Sequence, residues 1–457
     1  MNTCKLTASN SRALLARKYG RSRATRSAYT TVRAAFDTAS ARHVSTATPT
    51  KLDKIIRDSI KATGPMSVST YMQLCLAHPT EGYYMSPSNA VFGKQGDFIT
   101  SPEISQVFGE LIAIWHLARW YAAGRPRRVR VVELGPGRGT LIADAFRTWS
   151  QFSDSFAATC ELHLIETSGP MRALQHETLQ KYGFFKGTED GSQERFYWRD
   201  SLEDMLANSK VDEGTYTIVI AHEFFDALPV HVVEKHKTSW HEIQITSEPN
   251  PAVPIVIRDL ETSPSPPFRF VRTPEPTPLA ILLGSMSPRY NKLAEGSRLE
   301  VSPVAFKAAR QIAELVSHPK SSGGSALIID YGQESHSGNS LRAFKKHKIV
   351  NIFETPGKCD LTTNVDFAAL KEALGDSVTP YGPITQHDFL NNMSIKPRVE
   401  MLMQAAARSG SNKSEIARAA ARLVDLTGMG SQYKFLGIVG TGVRTTGETD
   451  IWPFVRD

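Results

Sequence analysis

An α/β fold, with a parallel sheet carrying helices on both faces, is what this 457-residue sequence predicts. From Val129 onward, apolar runs of strand length alternate with stretches of helical periodicity. The first run passes through a glycine-rich turn directly into a helix, and the runs that follow close on acidic residues. Strands that read as continuous apolar runs are buried on both faces, which is the signature of a parallel sheet.

The elements follow in order. After a Thr/Pro linker, Lys51–Ala62 reads as an amphipathic helix, and Met66–His78 as a second, stopped by Pro79. Glu81–Gly96 is irregular, glycine-rich and aromatic. It leads to a helix entry with Ser101 as cap, Pro102 in the first turn and Glu103 behind it, and the helix runs over Glu103–Ala122. Val129–Leu134 is a buried strand, Thr140–Trp149 a helix, Glu161–Glu166 a strand and Ser168–Lys181 a helix. Phe196–Arg199 and Tyr216–Ala221 are further strands. Residues 232–300 interrupt this rhythm: His231–Lys235 and Trp240–Ile245 alternate as a hairpin, and Glu248–Pro278 is rich in proline. This stretch reads as an insertion covering the substrate side. The sheet resumes at Ala326–Asp330. A lysine-rich loop, a helix around Val365–Leu374 and a helix over Lys413–Leu426 complete the chain. The predicted organisation is therefore 1–48, a leader; 49–128, a helical and lid region; and 129–457, the sheet domain with its insertion.

The net charge of +7 suggests a nucleic-acid partner until the charges are located. Residues 1–48 carry nine Lys/Arg and a single acid, Asp37, whereas the rest of the chain is nearly balanced. The basicity is thus no argument for nucleic acid. A leader rich in Arg, Ser, Thr and Ala, without an apolar core, has the composition of a mitochondrial presequence; the alternative is a basic tail. No run is long enough to span a membrane. Cys75, Cys160 and Cys359 are too scattered for a zinc pattern or a disulfide framework, and no HxxxH or HExxH pair occurs, so no metal site is expected. Oligomeric state is not legible.

The chemistry starts at Val131–Leu141 (VVELGPGRGTL). Gly135, Gly137 and Gly139 permit a tight turn that a ligand can approach without meeting Cβ atoms, and the helix behind offers unpaired N–H groups. Dinucleotide sites use GxGxxG. Here the spacing is GxGxG, with Glu133 two residues upstream, and an acid there suits the cationic methionine end of S-adenosylmethionine. Glu166, closing the second strand, is placed for the two ribose hydroxyls. Asp200, after the third strand, is either an adenine contact or the N-cap of a helix over Ser201–Met205. The fourth strand runs into His222-Glu223-Phe224-Phe225-Asp226, at the strand end where ligands sit in such sheets. Two carboxylates there, Glu223 and Asp226, fit a cationic substrate; alternatively they are solvated helix-start residues. Tyr83, Tyr84, Gly96, Asp97, Ser101, Pro102 and Glu103 precede the first core strand and are candidate substrate-binding or lid residues, or plain surface loop. The fold class is accordingly a Rossmann-like class I S-adenosylmethionine-dependent methyltransferase sheet.

Together these segments resemble the MidA family of mitochondrial complex I assembly factors with a methyltransferase domain. The resemblance rests on LAHPTEGYY (Leu76–Tyr84), GDFITSPEISQVFGELIAIW (Gly96–Trp115), VVELGPGRGTLIAD (Val131–Asp144) and HEFFDALPV (His222–Val230). SRLEVSP (Ser297–Pro303), IIDYG (Ile328–Gly332), PGKCDLTTNVDF (Pro356–Phe367) and TQHDFL (Thr385–Leu390) add to it. The resemblance implies symmetric dimethylation of an arginine in a core complex I subunit of the iron–sulfur protein 2 type, in the mitochondrial matrix. It implies that Gly135, Gly137 and Gly139 line the cofactor, that Glu166 meets the ribose, that Glu223 and Asp226 face the substrate, and that Gly96, Asp97, Ser101, Pro102 and Glu103 form the lid. His222 departs from the family's usual Asn, which weakens any role for that amide here and leaves the acids intact.

Two other classes compete. A nicotinamide-dependent dehydrogenase would carry GxGxxG, which is absent. A non-catalytic assembly chaperone with a relic cofactor site is less compatible with an intact turn and paired acids. The residues alone do not separate arginine from lysine, glutamine or a small amine as the methyl acceptor.

Overall fold

The computed structural model describes residues 49–86, 99–182, 195–208, 213–247, 268–410, 412–440 and 451–454, all within one compact unit. The leader reading (1–48), the candidate lid residues Gly96 and Asp97, and 248–267 of the proline-rich stretch fall outside them. No helix among the described residues is long and apolar enough to cross a membrane.

The N-terminal region contains α1 (Lys51–Thr63), β1 (Met66–Ser67), α2 (Val68–Ala77), α3 (Ser101–Ile104) and α4 (Gln106–Ala122). The cap of α3 is Thr100, not Ser101: Glu103 closes a capping box with Thr100, which puts Ser101 inside the first turn. The expected single helix is also broken, because Ser105 is extended (φ −157°) and itself caps α4 through Val107 N.

The sheet domain follows with β2 (Arg128–Leu134), α5 (Thr140–Phe152), α6 (Asp154–Thr159), β3 (Cys160–Ile165), α7 (Gly169–Lys181), β4 (Phe196–Arg199), α8 (Leu202–Asn208) and β5 (Thr215–His222). All eight residues of β5 are buried, as a strand covered on both faces requires. The period of two divides β2 between two cores. Val129 and Val131 join the cluster under α4 and α5, while Val132 and Leu134 join the one on the opposite face. Glu133 shares the parity of the first pair, so its carboxyl is carried into the α4/α5 side.

The insertion forms β6 (His231–His236), β7 (Ser239–Thr246), β8 (Arg269–Arg272), α9 (Pro278–Gly284) and β9 (Arg298–Val301). The expected hairpin is present, pairing His236 with Ser239. Its sheet also recruits β1, so the N-terminal region and the insertion share one apolar core, with Leu52, Tyr71 and Ile245 in it.

Next come α10 (Pro303–Ser317), β10 (Gly324–Gln333), β11 (Arg342–Lys345), β12 (Lys348–Val350), β13 (Asp360–Thr362), β14 (Val365–Asp366), α11 (Phe367–Leu374) and β15 (Val378–Thr385). The expected lysine-rich loop is instead the β11–β12 hairpin. Its two-residue turn, Lys346-His347, has both φ positive (49° and 60°), the geometry that matches strand twist. Then α12 (Gln386–Asn392), α13 (Ile395–Ser409), α14 (Lys413–Val424), α15 (Met429–Gln432) and β16 (Tyr433–Gly440) end the fold. The main sheet runs β15-β16-β10-β5-β2-β3-β4, with β14 alongside β10. It is mixed: β16 lies antiparallel to both β10 and β15, which the reading of an all-parallel sheet did not anticipate. Helix α13 is tied to α4 through Glu110, which accepts Arg398 Nε (2.6 Å), Arg398 Nη2 (2.9 Å) and Arg147 Nη2 (3.0 Å).

Candidate active site

The chain leaves β2, goes to β3 and β4 on one side, and returns to β5 on the other. This makes the β2/β5 boundary a topological switch, where ligands bind beyond the strand ends. Register puts Leu134 beside both Ala221 and Ile165, and His222 beside Ile329. The turns after β2, β3, β5 and β10 therefore open along one edge, and an acid lies in or just after each of these strands: Glu133, Glu166, Glu223 and Asp330.

In the turn after β2, Gly135 (φ 60°), Gly137 (φ 53°) and Gly139 (φ 80°) are all left-handed, which other residues rarely adopt. Gly135 N donates to Ile165 O (3.1 Å), and Gly139 N to Pro136 O (2.7 Å), with no side chain capping α5. A Cβ on Gly135 would come within 3.1 Å of the Phe224 ring, so this turn directly abuts the segment after β5. Glu133 is buried, its Oε2 has no hydrogen-bond partner, and burial pushes its carboxyl well above the usual range.

Glu166 follows β3. Its Oε1 accepts Ser168 N (2.8 Å) and its Oε2 accepts Gln175 Nε2 (3.2 Å). Burial raises its pKa, and these two N–H groups partly oppose that. Asp200 is different: its side chain is 75% exposed and bound to Arg172 Nη2 (2.5 Å). The structure does not gather it with the turn, and the cap of α8 is Ser201, which accepts Asp204 N (3.0 Å), so the N-cap alternative for Asp200 also fails.

Beyond β5 the backbone is strained at Glu223 (φ 50°), a cost of about 1–3 kcal/mol that a packed site sustains. The Glu223 carboxyl is raised well above normal by burial and then by Asp226, and it is hydrogen-bonded by Tyr433. Its Oε1 has no hydrogen bond, although His222 Nε2 lies 3.3 Å away; burial lowers that imidazole to about 3, so it is neutral. Phe108 meets the His222 ring edge-on at 5.2 Å. Asp226 is buried, with Oδ2 on the Tyr331 hydroxyl and Oδ1 without a partner. Burial pushes it up to about 6, against the Tyr331 hydrogen bond and the positive charge of Arg342. Asp226 is buried, the Glu223 side chain is only 16% exposed, and no helix starts between β5 and β6, so they are not solvated helix-start residues.

Several members of this cluster escaped sequence reasoning. Asp330 Oδ2 accepts Phe225 N (3.0 Å) and Asp226 N (3.2 Å), and its Oδ1 accepts Tyr331 N (2.9 Å), so it sets the loop that carries Asp226. The Tyr331 hydroxyl also lies 2.6 Å from Thr362 Oγ1, and the Arg342 guanidinium stacks over its ring at 4.9 Å. Asp360 accepts the Tyr84 hydroxyl (2.8 Å). The IIDYG run contained Asp330 and Tyr331, and an acid closing a core strand was the available signal. Tyr433 and Asp360 gave none.

The other candidates divide. Tyr84 reaches the site twice, through Asp360 and through its carbonyl, which accepts Ser168 Oγ (2.7 Å). Tyr83 is 1% exposed in the N-terminal core, and Ser101 and Pro102 are buried, with Ser101 Oγ donating to Gln386 Oε1 (3.4 Å). All three are packed into the body of the protein, although Pro102 also borders the cleft described next. Glu103 Oε1 lies 3.6 Å from Arg138 Nε in the glycine turn, and both line a cleft of about 580 Å³ with Pro102, Gln106, Thr140 and Asp144.

The chain was compared with known proteins. Residues 111–384 match the family described as "Putative S-adenosyl-L-methionine-dependent methyltransferase". Protein arginine methyltransferase NDUFAF7, mitochondrial, from Danio rerio is 35% identical over 85% of this chain and 86% of its own length. The protein of that name from Homo sapiens is 33% identical over 83% and 81%, and the Drosophila melanogaster homolog is 34% identical over 85% and 84%. Among solved structures, a COG1565 superfamily member from Burkholderia thailandensis bound to S-adenosyl-homocysteine superposes with a TM-score of 0.65. It shares 24% identity and covers 86% of this chain and 92% of that one, a likeness of fold.

Proposed function

Because the chain belongs to the MidA family of S-adenosyl-L-methionine-dependent methyltransferases, we propose that it methylates an arginine in a protein, using the acids beyond β5 to hold the guanidinium. The finer reading is symmetric dimethylation of a core complex I subunit of the iron–sulfur protein 2 type, in the mitochondrial matrix, during complex I assembly. The relatives' names support a protein arginine and a mitochondrial address, and the basic composition of 1–48 agrees with that address.

One observation carries the reading: Glu223 Oε1 and Asp226 Oδ1 are buried, without hydrogen bonds, and belong to adjacent carboxyls. Buried acids of this kind are costly unless a cation meets them, and a planar guanidinium can satisfy two acceptors at once.

The residues present also fit the cofactor. The left-handed glycines leave room for a ligand against the backbone, Glu133 offers an unpaired oxygen near the turn, and Glu166 is an acceptor for ribose hydroxyls. When bound, the cofactor supplies an electrophilic methyl on a sulfonium. Glu223 and Asp226 orient the guanidinium so that one nitrogen lone pair faces that methyl, and orientation is the main source of rate in such a displacement. Asp226 then receives the proton the nitrogen gives up, with Tyr331 and Arg342 stabilising its charged form. Tyr84 and Glu103 border the substrate side in this reading.

The test uses recombinant protein, methyl-labelled cofactor and the candidate subunit, read by mass spectrometry. Label on arginine is expected, as is its loss when Glu223 or Asp226 becomes alanine. Absence of label with wild-type protein, despite tight binding of the subunit, would support the non-catalytic chaperone and refute this proposal.

A further inference from the structure

The buried side chain of Gln175, on α7, lies outside every motif singled out above, yet it connects three parts of the cofactor side. Its Nε2 donates to Gly137 O (2.9 Å) and to Glu166 Oε2 (3.2 Å), and its Oε1 accepts Trp198 Nε1 (2.9 Å) from β4. Glutamine is the side chain of that length that offers two N–H donors and an acceptor together. The glycine turn also packs on it: a Cβ at Gly139 would lie 3.7–3.8 Å from Gln175 Cα, Cβ and Cγ. One turn earlier on the same helix, Arg172 Nε holds the Glu166 carbonyl (2.7 Å). Helix α7 thus holds both ends of Glu166.

The geometry points to Gln175 as a positioning residue for the cofactor: it fixes the Glu166 carboxylate relative to the glycine turn, so that the acid meets the ribose while the turn meets the methionine end. The inference rests on the ribose reading of Glu166. The carboxylate must be charged and aimed to accept two hydroxyl protons, and burial works against the charge. The Gln175 donor opposes burial and selects one rotamer. Trp198, by occupying Oε1, ensures that the amide presents its N–H face to Glu166 and Gly137.

Calorimetry on the full-length protein with S-adenosyl-L-methionine and S-adenosyl-homocysteine tests this, alongside thermal denaturation. Gln175→Leu and Gln175→Met are expected to bind both ligands at least about tenfold more weakly while still melting cooperatively, a few degrees lower because Trp198 Nε1 and Gly137 O lose their partner. In turnover, KM for the cofactor should rise while KM for the protein substrate stays put. Gln175→Met keeps the length without placing a second carboxylate beside Glu166, so it carries the test if the leucine variant does not fold. Loss of the ribose 2′-hydroxyl from S-adenosyl-homocysteine should weaken binding in wild type and much less in the Gln175 variants. Wild-type affinity in Glu166→Ala would overturn the ribose reading and the inference with it. Weakened Glu166→Ala beside unaffected Gln175 variants would overturn the positioning role alone.

Discussion

Asp226→Asn should make the protein more stable while abolishing methyl transfer. Asp226 is 5% exposed and its carboxyl is pushed from an ordinary value near 3.8 up to about 6 by burial. A group whose folded pKa is raised favours folding in its protonated form. Its contribution is therefore present below about pH 4 and is lost as pH rises through 6. The difference of about two units corresponds to about 3 kcal/mol at neutral pH and above. Asparagine has the same shape, keeps an oxygen for the Tyr331 hydroxyl and removes the buried charge beside Glu223 and Asp330. The expected outcome is a gain of about 3 kcal/mol at pH 8, or about 5 °C in melting temperature, shrinking toward zero as pH falls from 6 to 4. Denaturant titration of both proteins across this range measures it, with methyl transfer at pH 8 run in parallel. A variant less stable than wild type at pH 8, or a gain independent of pH, would refute the argument that this carboxylate is retained for function at the expense of stability.

Tyr331→Phe removes the hydroxyl that holds Asp226 down, so the acidic limb of kcat/KM, expected near pH 6 in wild type, should move up by about one unit. An unmoved limb would assign it to another group. Gly137→Val adds a branched side chain at φ 53° and should abolish cofactor binding, whereas wild-type affinity by calorimetry would contradict the cradle. Arg398→Ala leaves the buried Glu110 with Arg147 as its one cation and Gln106 Nε2 as a neutral donor; a loss of about 1–2 kcal/mol is expected, because Arg398 is partly exposed, and denaturant melts would detect it. No effect there would mean that α13 is held by other contacts.

Local backbone chemistry made part of this protein readable without coordinates. Three glycines at GxGxG spacing must turn tightly, and Gly135, Gly137 and Gly139 all do, at positive φ. An acid ending a buried strand must emerge at the sheet edge, which places Glu133, Glu166 and Glu223 in sequence alone, and period and apolar length sufficed for β2, β3, β4 and β5. Edge strand β15 was not legible, because its two prolines argue against a strand unless it lies at an edge, and only pairing with β16 reveals that it does. The cap of α3 was misread because Thr100 and Ser101 are equally good caps; the reciprocal bond with Glu103 decides between them.

What only the tertiary structure decided is the company each acid keeps. Tyr331 reaches Asp226 across 105 residues, and Tyr84 reaches Asp360 across 276. Gln175 meets Gly137 and Trp198 from a helix whose pattern announces nothing but burial. Hydrogen bonds and low dielectric act over a few ångströms of space, whatever the separation along the chain. The sequence by itself thus determined the turn, the strand ends and the sign of charge waiting there. Which carboxylate is buried, which is braced and which lies exposed on an arginine, as Asp200 does, was decided when the strand ends came together.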